Sequence, residues 1–226
     1  MSDVLRLDLH VHSRCSPDSK LPLEETVGRL SYGGLRGFAL TDHNSVAGHA
    51  ALADLATKYT AYLFLPGVEV STEQGHLLAF GVREVPPPHR GVEETIDWVR
   101  AHGGEAVLAH PFRWVHGVGR ALAESAVVPA LEVRNGHNSE VANLKAEQVA
   151  ARRQLGATGG SDAHALNDLG RAYTEFDAHV ATVDDVLEAI RKGAVQAGGK
   201  SMPLGGRVRL AIRSGLLRAG RGFRPV

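Results

Sequence analysis

The chain has 226 residues, 25 Lys and Arg against 25 Asp and Glu, and 12 histidines. A formal net charge of zero excludes a protein that binds polyanions through its overall field, and the single cysteine, Cys15, excludes an internal disulfide and fits a reducing compartment. Asp3, Arg6 and Asp8 interrupt any signal peptide and no apolar run is long enough to span a bilayer, so the expectation is a cytoplasmic protein without a membrane span.

Leu5 to His10 alternates apolar and polar residues, which predicts a strand. Extended backbone puts residues i and i+2 on one face, so His10 and His12 can reach one metal ion together. The alternative for either is a core histidine with a satisfied hydrogen bond. Cys15 follows with no base in view, and reads as a buried or incidental thiol. Pro22 and Glu24-Glu25 open a helix with Val27, Leu30 and Leu35 on its apolar side, and Gly33-Gly34 stop it. Gly37 to Thr41 predicts a second strand, ending in Asp42-His43-Asn44. A helix follows from about Val46 to Lys58.

Tyr62 to Leu65 predicts a buried strand that runs on through Gly67 to Val70 and pairs as a hairpin with His76 to Gly81. Pro86-Pro87-Pro88 is a stiff connector. A helix and Gly103-Gly104 then lead to the strand Ala106 to Ala109, which ends in His110-Pro111. Leu131-Glu132-Val133 is a further strand, ending in Arg134-Asn135-Gly136-His137. A helix from about Ser139 to Leu155 precedes a short strand near Ala157 and the loop Gly160 to His164. Tyr173 to Phe176 makes a late strand, and Thr182 with Asp185 forms a capping pair for a helix reaching Lys192. Strands alternating with helices predict a largely parallel α/β barrel or sheet, in which sites form at strand carboxyl ends. That is where the histidines and acids of this chain recur.

His10-Val11-His12, Thr41-Asp42-His43, Gly67-Val68-Glu69, His76-Leu77-Leu78, Ala109-His110-Pro111 and Gly160-Ser161-Asp162-Ala163-His164 follow one another in order. As an ordered set they resemble the PHP family, the polymerase-and-histidinol-phosphatase superfamily of metal-dependent phosphoesterases. The resemblance implies an α/β fold of the distorted (β/α)7 barrel type, over residues 1–199, with two or three divalent ions. It implies one ion held by His10, His12, Glu69 and Asp162. A second is shared through Glu69 with His76 and His110, and a third is held by Asp18, His43 and His164. Imidazoles and carboxylates without thiolate suit zinc, manganese or iron.

Such ions lower the pKa of a bridging water, whose hydroxide attacks phosphorus. Glu69 and Asp162 are therefore the expected catalytic centre, with Arg113 and Arg171 as phosphate-binding cations. Arg134 and His137 are second candidates. Ser13, Ser16 and Asn135 either donate to phosphate or cap turns. Asp42 either orients a ligand imidazole or caps the Asn44-Ser45 turn.

Hydrolysis of a small phosphomonoester is the leading expectation. A nuclease or nucleotide phosphatase of the same family is the enzyme alternative, and a non-catalytic metal-binding module is the alternative from another class. The stretch between His110 and Asp162 holds a strand and a helix and leaves little room for a large inserted cap. Residues 200–226 carry Lys200, Arg207, Arg209, Arg213, Arg218, Arg221 and Arg224 and no acid. They are expected to form a basic helix packed on the barrel, with contact to nucleic acid as the less favoured role.

Overall fold

The computed structural model describes residues 4–203 together with 205 and 206. Most of the basic tail expected to be a helix over residues 200–226 lies outside the described residues. Nine strands form one sheet: β1 (Leu5–Val11), β2 (Gly37–Leu40), β3 (Leu63–Ser71), β4 (His76–Phe80), β5 (Glu105–Leu108), β6 (Ala130–Asn135), β7 (Gly156–Gly160), β8 (Ala172–Phe176) and β9 (Gln196–Gly199). Their order is β7-β6-β5-β4-β3-β2-β1-β8-β9. The helices are α1 (Leu23–Leu30), α2 (His49–Lys58), α3 (Val92–Ala101), α4 (Gly119–Ser125), α5 (Glu140–Arg153) and α6 (Val183–Arg191).

The sheet curls into a nearly closed barrel. His12 N–H donates to Ala163 O at 3.0 Å and Ala163 N–H to His10 O at 3.2 Å, joining the end of β1 to the chain just past β7. Gly160 permits this closure, because a Cβ there would sit 2.4 Å from the His10 Cβ. At the other end, β8 and β9 wedge into the seam: Gly159 N–H donates to Thr174 Oγ1 at 2.8 Å, and Ala157 N–H to Val195 O at 3.2 Å. The barrel is less regular than seven β/α units. No helix separates β3 from β4 or β7 from β8, and β4 runs antiparallel to both neighbours.

Leu7, Ala39, Leu65, Phe80, Val107, Ala130 and Phe176 belong to one buried apolar cluster. Residues from so many strands can meet only inside the barrel. Val186 and Ile190 of α6 join the same cluster, so α6 stoppers the end where the parallel strands begin. Its own ends explain why it forms: Thr182 Oγ1 accepts from Asp185 N–H while the Asp185 carboxylate accepts from Thr182 N–H, a closed capping box. The outer layers are α1 and α2 against β1–β3, and α3 to α5 against β3–β6. α4 and β9 have no counterpart among the sequence expectations. α4 has only seven residues, and β9 is half glycine on the edge of the sheet.

Candidate metal centre

The end of the barrel opposite α6 gathers the histidines. His10 is the penultimate residue of β1 and His12 follows the strand. His43 follows β2, Glu69 sits near the end of β3, His110 follows β5, and Asp162 and His164 follow β7. His76 arrives differently. It opens β4 and pairs with Ser71 of β3, so the antiparallel hairpin delivers an amino-terminal residue to the carboxyl end of the barrel. All of these side chains, with Asp18 from the first loop, are buried.

Glu69 is the hub. Its Oε2 lies 3.0 Å from His10 Nε2, 3.1 Å from His12 Nε2 and 3.2 Å from His43 Nδ1. Its Oε1 lies 2.7 Å from His76 Nδ1 and 2.9 Å from His110 Nε2. Asp162 Oδ1 adds a second carboxylate 3.3 Å from His12 Nε2. His10, His12, Glu69 and Asp162 bring one ligand atom each within 4.8 Å of one another, as do His12, Asp18, His43 and His164, and also His43, Glu69 and His76.

These groups fit a cation. His10 Nε2, His12 Nε2 and His43 Nδ1 are fully buried and make no hydrogen bond, although each faces the Glu69 carboxylate. Buried polar atoms seldom remain unsatisfied, and lone pairs converging on carboxylates suit an ion between them. The charges agree. Burial alone would push the His10 pKa down, yet Glu69, Asp162 and Glu132 hold it well above the ordinary value. His12, against the same burial, is raised to about 10 by Asp162 and Glu69. Burial would raise Glu69, but His43, His10 and His76 hold it well below the carboxylate range. The carboxylates therefore demand positive charge, which protons supply when no metal does. Burial lowers His43 to about 4, and burial with Arg113 nearby lowers His110 to about 4.

The groups behind this first ring are mostly ones the sequence did not announce. Glu132 of β6 is buried; its Oε1 lies 2.9 Å from His10 Nδ1 and its Oε2 accepts His110 N–H at 2.7 Å. The first contact fixes the proton on Nδ1 and leaves Nε2 free to coordinate. The signal was a lone acid in the apolar run Leu131-Glu132-Val133. Asn135 donates to Glu132 at 3.1 Å and accepts from Arg113 at 2.7 Å. Asp8 of β1 is buried, accepts from Ser161 and Gly170 N–H at 2.8 and 2.9 Å, and has its pKa raised to about 6 by burial. His116 stacks on His76 with ring centroids 4.5 Å apart. His110 and Asp162 carry positive φ, at 27° and 58°, the kind of backbone strain that gathers at functional sites.

Other predicted residues go elsewhere. Asp42 takes neither role expected of it; it accepts from Ser13 N–H at 2.6 Å and Ser13 Oγ at 2.7 Å and so anchors the first loop. Ser13 is thereby committed, and Ser16 Oγ lies 3.2 Å from His12 Nδ1 and accepts His43 N–H. Arg113 does reach the centre, through Asp162 Oδ2 at 2.5 Å, with Asn138 and Asn135 on the same guanidinium. Arg134 does not, because Glu140 and Glu147 on α5 hold it. His137 is buried beside Asp162 and Asp168. Arg171 lines a separate open depression that no ligand candidate lines. Cys15 is exposed. Among the described residues, no helix is long and apolar enough to cross a membrane.

Comparison with known proteins follows the same lines. The PHP domain family model matches residues 8–121, and a PHP-associated model matches residues 140–195. An uncharacterized protein of Methanocaldococcus jannaschii is 29% identical over 197 residues, covering 80% of this chain and 75% of that protein. A two-domain protein of Bacteroides vulgatus, described as containing a predicted PHP-like metal-dependent phosphoesterase, superposes with a TM-score of 0.69 at 19% identity, over 93% of this chain and 70% of that one. Endonuclease Q, in complex with a 27-mer duplex with an abasic lesion at the active site, gives 0.63 at 18% identity, over 88% and 60%. At these identities the structural likeness shows the fold.

Proposed function

The chain belongs to the PHP domain family, and on that premise we propose that it is a metal-dependent phosphoesterase acting on a small phosphomonoester. The observation that carries this reading is the buried Glu69 carboxylate, approached by five imidazoles through its two oxygens. A carboxylate so placed is suited to serve two cations at once. His10, His12 and Asp162 would hold one ion with Glu69. His76 and His110 would hold a second with Glu69, and Asp18, His43 and His164 a third. Two or three bound ions of zinc, manganese or iron would activate water and neutralise phosphate charge.

The protein's own groups do the rest. Glu132 holds the His10 proton on Nδ1. Arg113 steadies Asp162 and leaves its Nη1 outside the described hydrogen bonds, where it can meet a phosphate oxygen. The short stretch between His110 and Asp162 leaves little room for a large inserted cap, which favours a small substrate over a nucleic acid. Hydrolysis of an aryl monophosphate and of a bis-aryl diester, each with manganese, zinc or iron, tests the reading. Faster monoester cleavage is expected. Preference for the diester would favour the nuclease alternative, toward which the likeness to endonuclease Q points. Bound metal with no turnover on either would favour a binding module.

A further inference from the structure

We propose that Arg171 and Lys200 form a second site for a phosphate-class oxyanion, on the outer face of the barrel and separate from the metal centre. This goes beyond the reading of that centre: phosphate binding at the site does not depend on it, and only the comparison of substrates below rests on it.

Along β8, Ala172, Thr174 and Phe176 are buried, so Tyr173 and Glu175 face outward with the preceding Arg171. The Arg171 Nε is fully buried and has no hydrogen-bond partner, and the guanidinium forms no ion pair among the described residues. A guanidinium cannot shed its charge. Shielding one without a counter-charge is costly, and such groups normally have a partner or a ligand. Other part-buried arginines among the described residues have partners for their side chains: Arg113 reaches Asp162, Arg134 reaches Glu140 and Glu147, and Arg153 donates to the Ala123 and Ala126 carbonyls.

The depression is lined by a second cation and by no carboxylate; Asp168, the nearest acid in sequence, accepts the Arg171 N–H through its backbone carbonyl at 3.2 Å, and its carboxylate lies 3.7 Å from His137 Nε2. Lys200 N–H donates to Arg171 O at 2.7 Å, which sets the two backbones side by side across the β8–β9 pair. The two share an open depression with Asn167 and Tyr173, and no carboxylate lines it. Glu175 is taken by Arg6 at 2.9 Å, whose guanidinium also lies 5.1 Å from the centre of the Tyr173 ring. The chain beyond Lys200 contains no acidic residue. The site is also held in place. Asp8 accepts from Ser161 N–H and Gly170 N–H, so one buried carboxylate pins both ends of the loop between Asp162 and Arg171. A planar guanidinium fork and an ammonium lining one depression suit bidentate capture of a phosphate group.

That group can be a second phosphate on the substrate or a free phosphate ion. Calorimetric titration of the metal-loaded protein with inorganic phosphate reads the site directly. Binding should persist in Glu69→Gln and weaken roughly tenfold or more in Arg171→Gln, as expected for a lost charge-assisted pair. Lys200→Gln, an exposed change that leaves the fold intact, should weaken it several-fold by the same reasoning. A sugar bisphosphate and its monophosphate then separate the sources. If Arg171→Gln raises KM for the bisphosphate alone, the substrate supplies the anion. If both KM values stay put while phosphate binding is lost, the anion is free. Phosphate binding that ignores both substitutions, or that disappears entirely with Glu69→Gln, would overturn the proposal.

Discussion

The two ends of the barrel are built on opposite rules. Where α6 closes it, Phe80, Phe176, Val186 and Ile190 belong to one apolar cluster, and the buried Glu105 that opens β5 is matched by Arg191 of α6 at 2.7 Å. At the other end, buried imidazoles face carboxylates with nitrogens left unsatisfied. Burial stabilises the first end by removing apolar surface from water, whereas at the second it sets a cost that a cation relieves. Stability and chemistry are therefore separable along the barrel axis, and substitutions should sort by end.

The sharpest break of that contrast is Glu69→Gln. It should lower phosphoester turnover by about a thousandfold or more, since it removes the shared charge, while circular dichroism stays unchanged. At the stoppered end, Ile190→Ala should cost about 2–5 kcal/mol of stability in chemical denaturation, with metal binding retained in the folded fraction. Glu132→Gln tests the layer behind the ligands; metal affinity or activity should fall by about 10–100-fold. Metal affinity should also climb with pH. His10 and His12 hold protons well above the ordinary histidine range, His12 to about 10, and those protons must leave before an ion enters. Each proton released steepens the gain by about tenfold per pH unit, readable in competition with a chelator. The smallest effect is Thr182→Ala, which should cost about 1 kcal/mol through the cap of α6.

Much of the active end was legible because its residues sit in short local motifs that punctuate strand ends. His10 and His12 share a face because they are two apart on extended chain, and the turn at Gln74-Gly75 announced the hairpin that carries His76. What stayed hidden depends on partners far away in sequence. Glu132 looks like any strand acid until β6 lies beside β1 and β5. Arg134 reads as a free cation until α5 brings Glu140 and Glu147 to it. Arg171 follows the Asp162 motif closely, but the alternation of β8 turns it outward. Asp42 could not be assigned from its own turn, because its partner Ser13 comes from the first loop. α6 was readable from its capping pair, but its place inside the barrel follows from sheet closure, which local pattern does not encode.

Metal content per chain, measured on the purified protein and on Glu69→Gln after reconstitution, tests the central claim most directly. The account predicts two or three ions per wild-type chain and loss of at least one in the variant. No bound metal in the wild type after reconstitution with manganese, zinc or iron would contradict it.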